Sequence, residues 1–217
     1  MKFKNITYAK YKEIAETFLT EHPFGIEQLP TDIELLIEKA GIHIIAEDNL
    51  KNNFEIKGFV AIDIKGKGPL KIIIDAEHYE KDEFQYKFTL AEELAHILAH
   101  KKDFENITNI NEFIKCRNEI TEEDYIKIEQ QARNIASYLL LPQNKFKNYV
   151  FKWIDENINE FLHINFESPE NFVNLISRPI SRELKLSQDV IRFTIATRYP
   201  DRIIDEIVEK YGKKLMI

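Results

Sequence analysis

The sequence predicts an α+β fold in which a small three-stranded antiparallel sheet packs on a helical core, followed by a C-terminal helical subdomain of helix-turn-helix type. Three observations predict it. Apolar residues recur at helical spacing in several segments, β-branched runs cluster between residues 42 and 74, and the chain after Pro142 breaks into aromatic and charged helical stretches. We therefore expect two domains, residues 1–145 and residues 146–217.

The first two helices are predicted from apolar spacing and from their end signals. Apolar residues recur at helical intervals from Tyr8 to Leu19, and Pro23 and Gly25 end that helix. A second helix begins at residues 31–34, whose sequence has the form of a capping box, and it ends at Gly41. These two helices precede the sheet.

Three short β-branched runs predict the sheet. They extend from Ile42 to Ala46, from Phe59 to Ile64 and from Leu70 to Ile74. Glycine and proline at residues 65–69 indicate a hairpin turn between the second and third runs, so we expect an antiparallel sheet. The polar and mostly acidic segment 75–87 is predicted to be a surface loop.

The segment 88–100 predicts a helix with an unusual stripe of acid and imidazole groups. Glu92, His96 and His100 follow one another at intervals of four residues beside apolar positions. Buried ionisable groups need a partner or a metal, and in a helical H-E-x-x-H motif two histidines bind zinc while the glutamate acts as general base. Glu93 fills the base position and His96 the second ligand position. Glu92 stands where the motif has its first histidine.

A second long helix is predicted from Thr121 to Leu141 and ends at Pro142. Its apolar positions form one continuous buried stripe, and Glu129 lies next to that stripe rather than opposite it. The Glu129 carboxylate can therefore face inward. It is the natural third metal ligand, together with the groups on the preceding helix.

Composition restricts the partners and the compartment. The net charge is -7 and the pI is about 5.5. This charge argues against a protein whose whole surface binds nucleic acid, so proteins are the expected partners. Cys116 is the only cysteine, which suits a reducing compartment. No apolar run approaches the ~18 residues that a membrane span requires. We expect a cytoplasmic location and no membrane partner.

The two motif blocks together resemble the ImmA/IrrE family of metallo-endopeptidases. The first block is residues 88–96 with His100, and the second runs from Glu129 to Pro142. The resemblance extends over residues 42–195 and implies a peptidase domain at residues 1–145. It implies a gluzincin-like zinc site in which position 92, His96 and Glu129 hold the metal and Glu93 is the base. It also implies a regulatory role, the cleavage of a protein partner such as a repressor.

Two positions depart from the family pattern. Glu92 replaces the first histidine, and Arg133 stands where the family usually has asparagine or aspartate, a residue that orients that histidine. The simplest interpretation is a charge-swapped pair. Arg133 could orient Glu92 as a ligand, or it could replace the metal as the counter-charge. Zinc binding could then be weak, and manganese better tolerated. His100 is expected to support the site through a hydrogen bond.

Two other functions remain open. The first is a degenerate-site pseudo-peptidase that binds a regulatory protein partner without cutting it. The second is a DNA-binding regulator, because the predicted helix pair at residues 180–186 and 187–197 lies in a basic stretch, although a structural role for that pair is favoured. The remaining histidines have no partner at ligand spacing and are expected to be ordinary and partly exposed: His22, His43, His78 and His163.

Overall fold

The computed structural model describes residues 6–64, 67–81, 83–104, 106–198 and 202–215. The chain divides into two compact units, Met1–Leu140 and Leu141–Ile217. The α+β class is confirmed, since most described residues are helical and one small sheet is present. The assignment of residues 1–145 and 146–217 as domains stays a prediction. None of the helices in the described ranges combines the length and the hydropathy that a membrane-crossing segment requires.

The first unit contains seven helices and three strands within its described ranges. The helices predicted near residues 8–19, 31–41, 88–100 and 121–141 are all present, whereas α3, α4 and α6 were not predicted. In chain order the elements are α1 (Tyr8–Glu21), α2 (Ile33–Lys39), β1 (His43–Glu47), α3 (Leu50–Phe54), β2 (Gly58–Ile64), β3 (Lys67–Asp75), α4 (Ala76–Lys81), α5 (Glu83–Phe104), α6 (Ile110–Glu119) and α7 (Glu122–Leu140).

The sheet is mixed, and the predicted antiparallel arrangement is wrong for one of its two pairings. β2 and β3 form the predicted hairpin, although Lys65 and Gly66 of its turn lie outside the described residues. β1 runs parallel to β3, with Ile44 opposite Ile72, so the strand order is β1-β3-β2. The chain crosses from β1 to the far edge before the hairpin brings β3 back between them. Periodicity identifies strands but carries no information on their direction.

The segment 75–87, predicted to be a surface loop, is helical from Ala76 onward in its described part. The buried Asp75 carboxylate accepts hydrogen bonds from the backbone N–H groups of His78 at 3.0 Å and Lys51 at 2.9 Å, which starts α4 and fastens α3. His78 was predicted to be partly exposed, but it is buried with its Nε2 3.0 Å from Thr89 Oγ1. Polar composition misled the prediction because only one face of this segment is in water.

Helices α5 and α7 pack against each other, and α5 also packs on β2. The predicted buried stripe of α7 is confirmed, and the helix starts where the Thr121 hydroxyl accepts a hydrogen bond from the Asp124 N–H at 3.2 Å. Burial of apolar side chains on both helices stabilises this contact. The buried residues of the two facing stripes include Leu90, Ala91, Leu94, Ala95, Ile128, Ala132, Ile135, Ala136 and Leu139.

The second unit consists of four helices and one short 3-10 turn within its described ranges. The helix predicted over residues 180–186 is the end of the longer α9, which continues through Pro179. Lys185 adopts a left-handed conformation with φ of 50° after α9, and Ser187 caps the next helix through the Val190 N–H. The elements are α8 (Gln143–Asn157), the 3-10 turn (Ile158–Glu160), α9 (Pro169–Leu184), α10 (Gln188–Ala196) and α11 (Ile203–Leu215).

Replacing Asp75 by alanine should lower the free energy of unfolding by about 2–4 kcal/mol, because two backbone N–H groups lose their acceptor. Asp63→Ala is the matched control, since Asp63 pairs with the partly exposed Lys71 and its loss should cost less than about 1 kcal/mol. Urea unfolding followed by circular dichroism measures both. Equal losses in the two variants would contradict the capping role.

Candidate functional site

Helix α5 carries the acid and imidazole stripe. Residues 88–99 contain no glycine or proline and are rich in strong helix formers, which explains the unbroken helix. Glu92 and Glu93 are partly buried, while His96 and His100 are buried at 6% and 3% exposure. The backbone leaves helical geometry at His100, with φ of -128° and ψ of 18°. The regular stripe therefore ends at His100.

Helix α7 brings two further residues to this stripe. Glu129 Oε1 lies 3.6 Å from His96 Nε2, and Arg133 Nε lies 3.4 Å from Glu92 Oε1. These residues are therefore brought together, as is Glu93, on which the charges of Glu129 and Glu92 act. The Arg133 side chain is 60% exposed and that of Glu92 is 21% exposed, so water screens their contact on one side.

The remaining predicted residue, His100, stands apart from this group. Its ring centre lies 5.7 Å from that of His96, on the buried side of the helix. No described residue makes a hydrogen bond to the buried His100 Nε2. Burial lowers the pKa of His100 to about 4, so the ring is neutral at physiological pH. Its supporting role stays a prediction.

The stripe lines a cleft of about 270 Å³. β2 contributes Gly58, where a Cβ atom would lie 2.7 Å from Ile74 Cδ1 and 3.3 Å from Glu93 Cγ. Glycine is thus what allows the strand to approach Glu93 so closely. Most of the other lining residues were not predicted as part of the site. They come from α6, from the residues before β2 and from the first half of α7: Ile56, Lys57, Phe113, Cys116, Arg117, Tyr125 and Ile128.

Helix α6 had a sequence signal that could have revealed it. Asn109 accepts a hydrogen bond from the Glu112 N–H at 3.1 Å, and the Glu112 carboxylate accepts one from the Thr108 N–H at 2.8 Å. An N-cap asparagine followed three residues later by glutamate is a capping-box pattern. The helix then packs Phe113 on Phe59, with ring centres 5.2 Å apart, which directs Cys116 and Arg117 to the cleft.

Burial raises the pKa of all three carboxyl groups in the cleft. Burial raises the pKa of Glu92 to about 7, with Arg133 opposing the shift and Glu129 adding to it. Burial, and then the charges of Glu129 and Glu92, raise the pKa of Glu93 well above its usual range. Burial also raises the pKa of Glu129, although a hydrogen bond from Tyr125 opposes it. Burial of these neighbouring carboxyl groups therefore outweighs the opposing charges of Arg133, Arg117 and Lys57, and the groups hold protons more tightly than they do in water.

The imidazole and phenol groups stay neutral. Burial, reinforced by His100, lowers the pKa of His96 to about 3, so its contact with Glu129 is not an ion pair at neutral pH. Burial and the charge of Glu129 raise the pKa of Tyr125 to about 12. The Arg117 guanidinium lies 4.9 Å from the centre of the Tyr125 ring, a cation–π contact that holds the ring over the cleft.

Helix α5 carries glutamate and histidine beneath the edge of the sheet and α7 adds a second glutamate, and these residue types are the ones that hold zinc in metallopeptidases. Residues 37–174 match the family model described as the IrrE N-terminal-like domain, a peptidase family. The match covers more than half of the chain, and the protein belongs to this family. No curated protein matches the chain. The family is one of metallopeptidases and so implies a divalent metal.

The side chains do not fit a three-ligand metal centre as they are positioned. Within the described ranges, no three His, Cys, Asp or Glu side chains converge in a group that could hold a metal ion. His96 and Glu129 are 3.6 Å apart, whereas the Glu92 carboxylate contacts Arg133. Catalytic zinc sites use three protein ligands, so this donor set falls one short.

Glu92→Gln should stabilise the metal-free protein at high pH. A carboxyl group whose folded pKa is raised contributes stability below its unfolded pKa and loses it as pH rises through the folded value. The wild type should therefore lose stability relative to Glu92→Gln between about pH 4.5 and pH 7, reaching a deficit of about 1–3 kcal/mol. Urea unfolding in chelator across pH 4–8 measures this. The exposed Glu123→Gln is the control on α7, and a parallel pH response of both variants would contradict the assignment.

Proposed function

We propose that this chain is a regulatory protein-binding member of its family, which holds an extended segment of a partner protein in the cleft without cutting it. The observation that carries the proposal is the 3.4 Å contact between Glu92 Oε1 and Arg133 Nε. It supports the interpretation that a counter-charge from α7 has taken the place of a metal at this position.

The two departures from the family pattern compensate each other chemically. A carboxylate at residue 92 without Arg133 would add negative charge to a cleft that already holds Glu93 and Glu129. A guanidinium at residue 133 beside a histidine ligand would repel a bound cation. Together they form a hydrogen-bonded pair between α5 and α7. His96 and Glu129 then remain as two potential ligands, which is a poor basis for tight zinc binding.

The outer edge of β2 supports the binding of an extended segment. The Ile62 N–H donates to the Ile107 carbonyl at 2.8 Å, so backbone groups at this register point away from β3. Alternation along the strand directs the groups of Val60 and Gly58 to the same side. Gly58 lines the cleft above Glu93. A partner strand added at this edge would pass over the cleft carboxyl groups, held by main-chain hydrogen bonds.

A second candidate is metal-dependent hydrolysis of a protein partner such as a repressor. The grouping of Glu93, His96 and Glu129 at one end of the cleft favours it. In that function His96, Glu129 and Glu92 would be the ligands and Glu93 the base, with Arg133 and His100 as supporting residues. Two carboxylates in the ligand set suit a harder ion such as manganese better than zinc.

DNA binding through α9 and α10 is the least favoured function. Of the basic residues between 177 and 198, Arg198 is fully buried and Arg192 Nη2 lies 2.9 Å from Asp189 Oδ1. Few cations are therefore left to contact phosphates. Any affinity for DNA should be weak and should fall steeply with salt, because it would depend on the release of a few counterions.

Zinc titration tests the proposed loss of the metal site. Wild type should bind zinc weakly or not at all, and Glu92→His with Arg133→Asp should bind it clearly, because the double change restores an imidazole ligand and its orienting acid. Isothermal titration calorimetry measures the affinity, and Glu92→His alone is the matched control with Arg133 retained. Tight zinc binding by wild type, unchanged in the double variant, would show that Glu92 is a competent ligand and would favour hydrolysis.

A positional library of fluorescent ten-residue peptides tests binding against cleavage. With zinc or manganese present, wild type should bind some members in fluorescence anisotropy and leave them intact in mass spectrometry. Glu93→Gln should bind the same members, because the amide keeps the shape of the cleft. Cleavage by wild type that Glu93→Gln abolishes would replace the proposal by the second candidate. The exposed Glu123→Gln controls for a change of charge on α7.

A further inference from the structure

The sheet has a second open edge, formed by β1. β1 is the outer strand opposite β2, and four of its five residues are exposed. Within the described ranges, no residue is hydrogen-bonded to the backbone groups of β1 that face away from β3. Five residues of strand span about 16 Å, enough to pair with a short extended segment. Exposed edges of this kind take up added strands readily.

A cavity lies beside this edge on the face of the sheet that carries α5. It has a volume of about 460 Å³ and shares no lining residue with the cleft at Glu93. Ile44 and Ala46 of β1 form its floor together with Ile74 of β3. Because alternate residues of a strand face the same side, a segment paired with β1 would direct every second side chain toward this cavity. The rest of the lining consists of Glu34, Glu38, Ile42, His43, Tyr79 and Tyr86.

The walls combine negative charge with aromatic surface. Glu34 and Glu38 are exposed and lie one turn apart on the same face of α2. The buried Tyr86 donates a hydrogen bond to Glu34, and the Tyr79 ring packs edge-on against Tyr86 with centres 4.9 Å apart. Tyr79 itself is 53% exposed. Lys39 Nζ lies 4.0 Å from Glu38 Oε1. Both side chains of this pair are exposed, so water screens their attraction.

We propose that β1 docks an extended basic segment of a partner protein, which adds a strand to the sheet and places a lysine or arginine side chain in this cavity. The carboxylates of Glu34 and Glu38 would bind the cation, and the Tyr79 ring would cover its aliphatic stem. Main-chain pairing supplies affinity in this mode of binding, and the pocket for an alternate side chain supplies specificity.

This surface is independent of the proposed function of the cleft. The two sites use opposite edges of one sheet, so one partner segment cannot occupy both at once. Loss of binding at β1 and loss of binding at the cleft can therefore be separated by substitutions at each site.

A ten-residue fluorescent peptide of alternating threonine and valine with one central lysine is the probe, and anisotropy with the full-length protein is the measurement. The peptide should bind wild type, and Glu34→Gln with Glu38→Gln should weaken it at least about tenfold by removing the charge-assisted contacts. Glu16→Gln with Glu21→Gln removes the same charge from exposed positions on α1 and should leave the affinity unchanged. N-methylation of alternate backbone nitrogens on the pairing side of the peptide should also weaken binding, without any change in the protein.

Three results would overturn the proposal. The first is equal binding of a matched peptide with central norleucine or glutamate, which would remove the role of the cation. The second is unchanged affinity in the Glu34→Gln and Glu38→Gln variant, or no binding at all. The third is weaker binding of the lysine peptide by Glu129→Gln together with unchanged binding by the Glu34→Gln and Glu38→Gln variant. That result would place the peptide in the cleft instead.

Discussion

The site depends on the burial of α5 between β2 and α7. Apolar side chains of this helix are buried on both sides. The contacts and the charge of each ionisable group on α5 therefore depend on the side chains that β2 and α7 place opposite it. β2 places Gly58 there, which leaves space above Glu93. α7 places Glu129 and Arg133 there, which decides whether the stripe meets another donor or a cation. The chemistry of α5 therefore depends on side chains that α7 supplies.

The balance of charge in the cleft explains why binding without cleavage is a consistent function. Arg133 is too exposed to neutralise three neighbouring carboxyl groups, since surface ion pairs contribute only about 0–1 kcal/mol. Burial, with the charges of Glu129 and Glu92, therefore raises the pKa of Glu93. The neutral imidazole of His96 and the phenol of Tyr125 add hydrogen-bonding groups that a bound peptide segment can meet.

The mixed sheet gives the first unit two outer strands, β1 and β2, with different surroundings. With β3 in the middle, β2 borders the cleft under α6, and β1 borders the cavity beneath α2. A purely antiparallel meander in chain order would have placed β2 in the middle and hidden its edge. The parallel pairing of β1 with β3 is therefore what exposes Gly58 to the cleft, and the direction of one short strand determines which residues a partner segment can meet.

The sequence by itself determined the long helices, the strand positions and the residues of the acid and imidazole stripe. These follow from local periodicity and capping, which report how each segment divides between core and water. Glu92 and Arg133 could be related from the family resemblance, although the sequence left the purpose of their contact open.

Only the tertiary structure decided the direction of β1, the helical state of the segment after Asp75, and the approach of Gly58, Arg117 and Tyr125 to the cleft. It also decided the raised pKa values of Glu92 and Glu93. Each of these depends on atoms that are distant in the chain and close in space. Local pattern contains no measure of that distance, whereas burial and charge interaction depend on it directly.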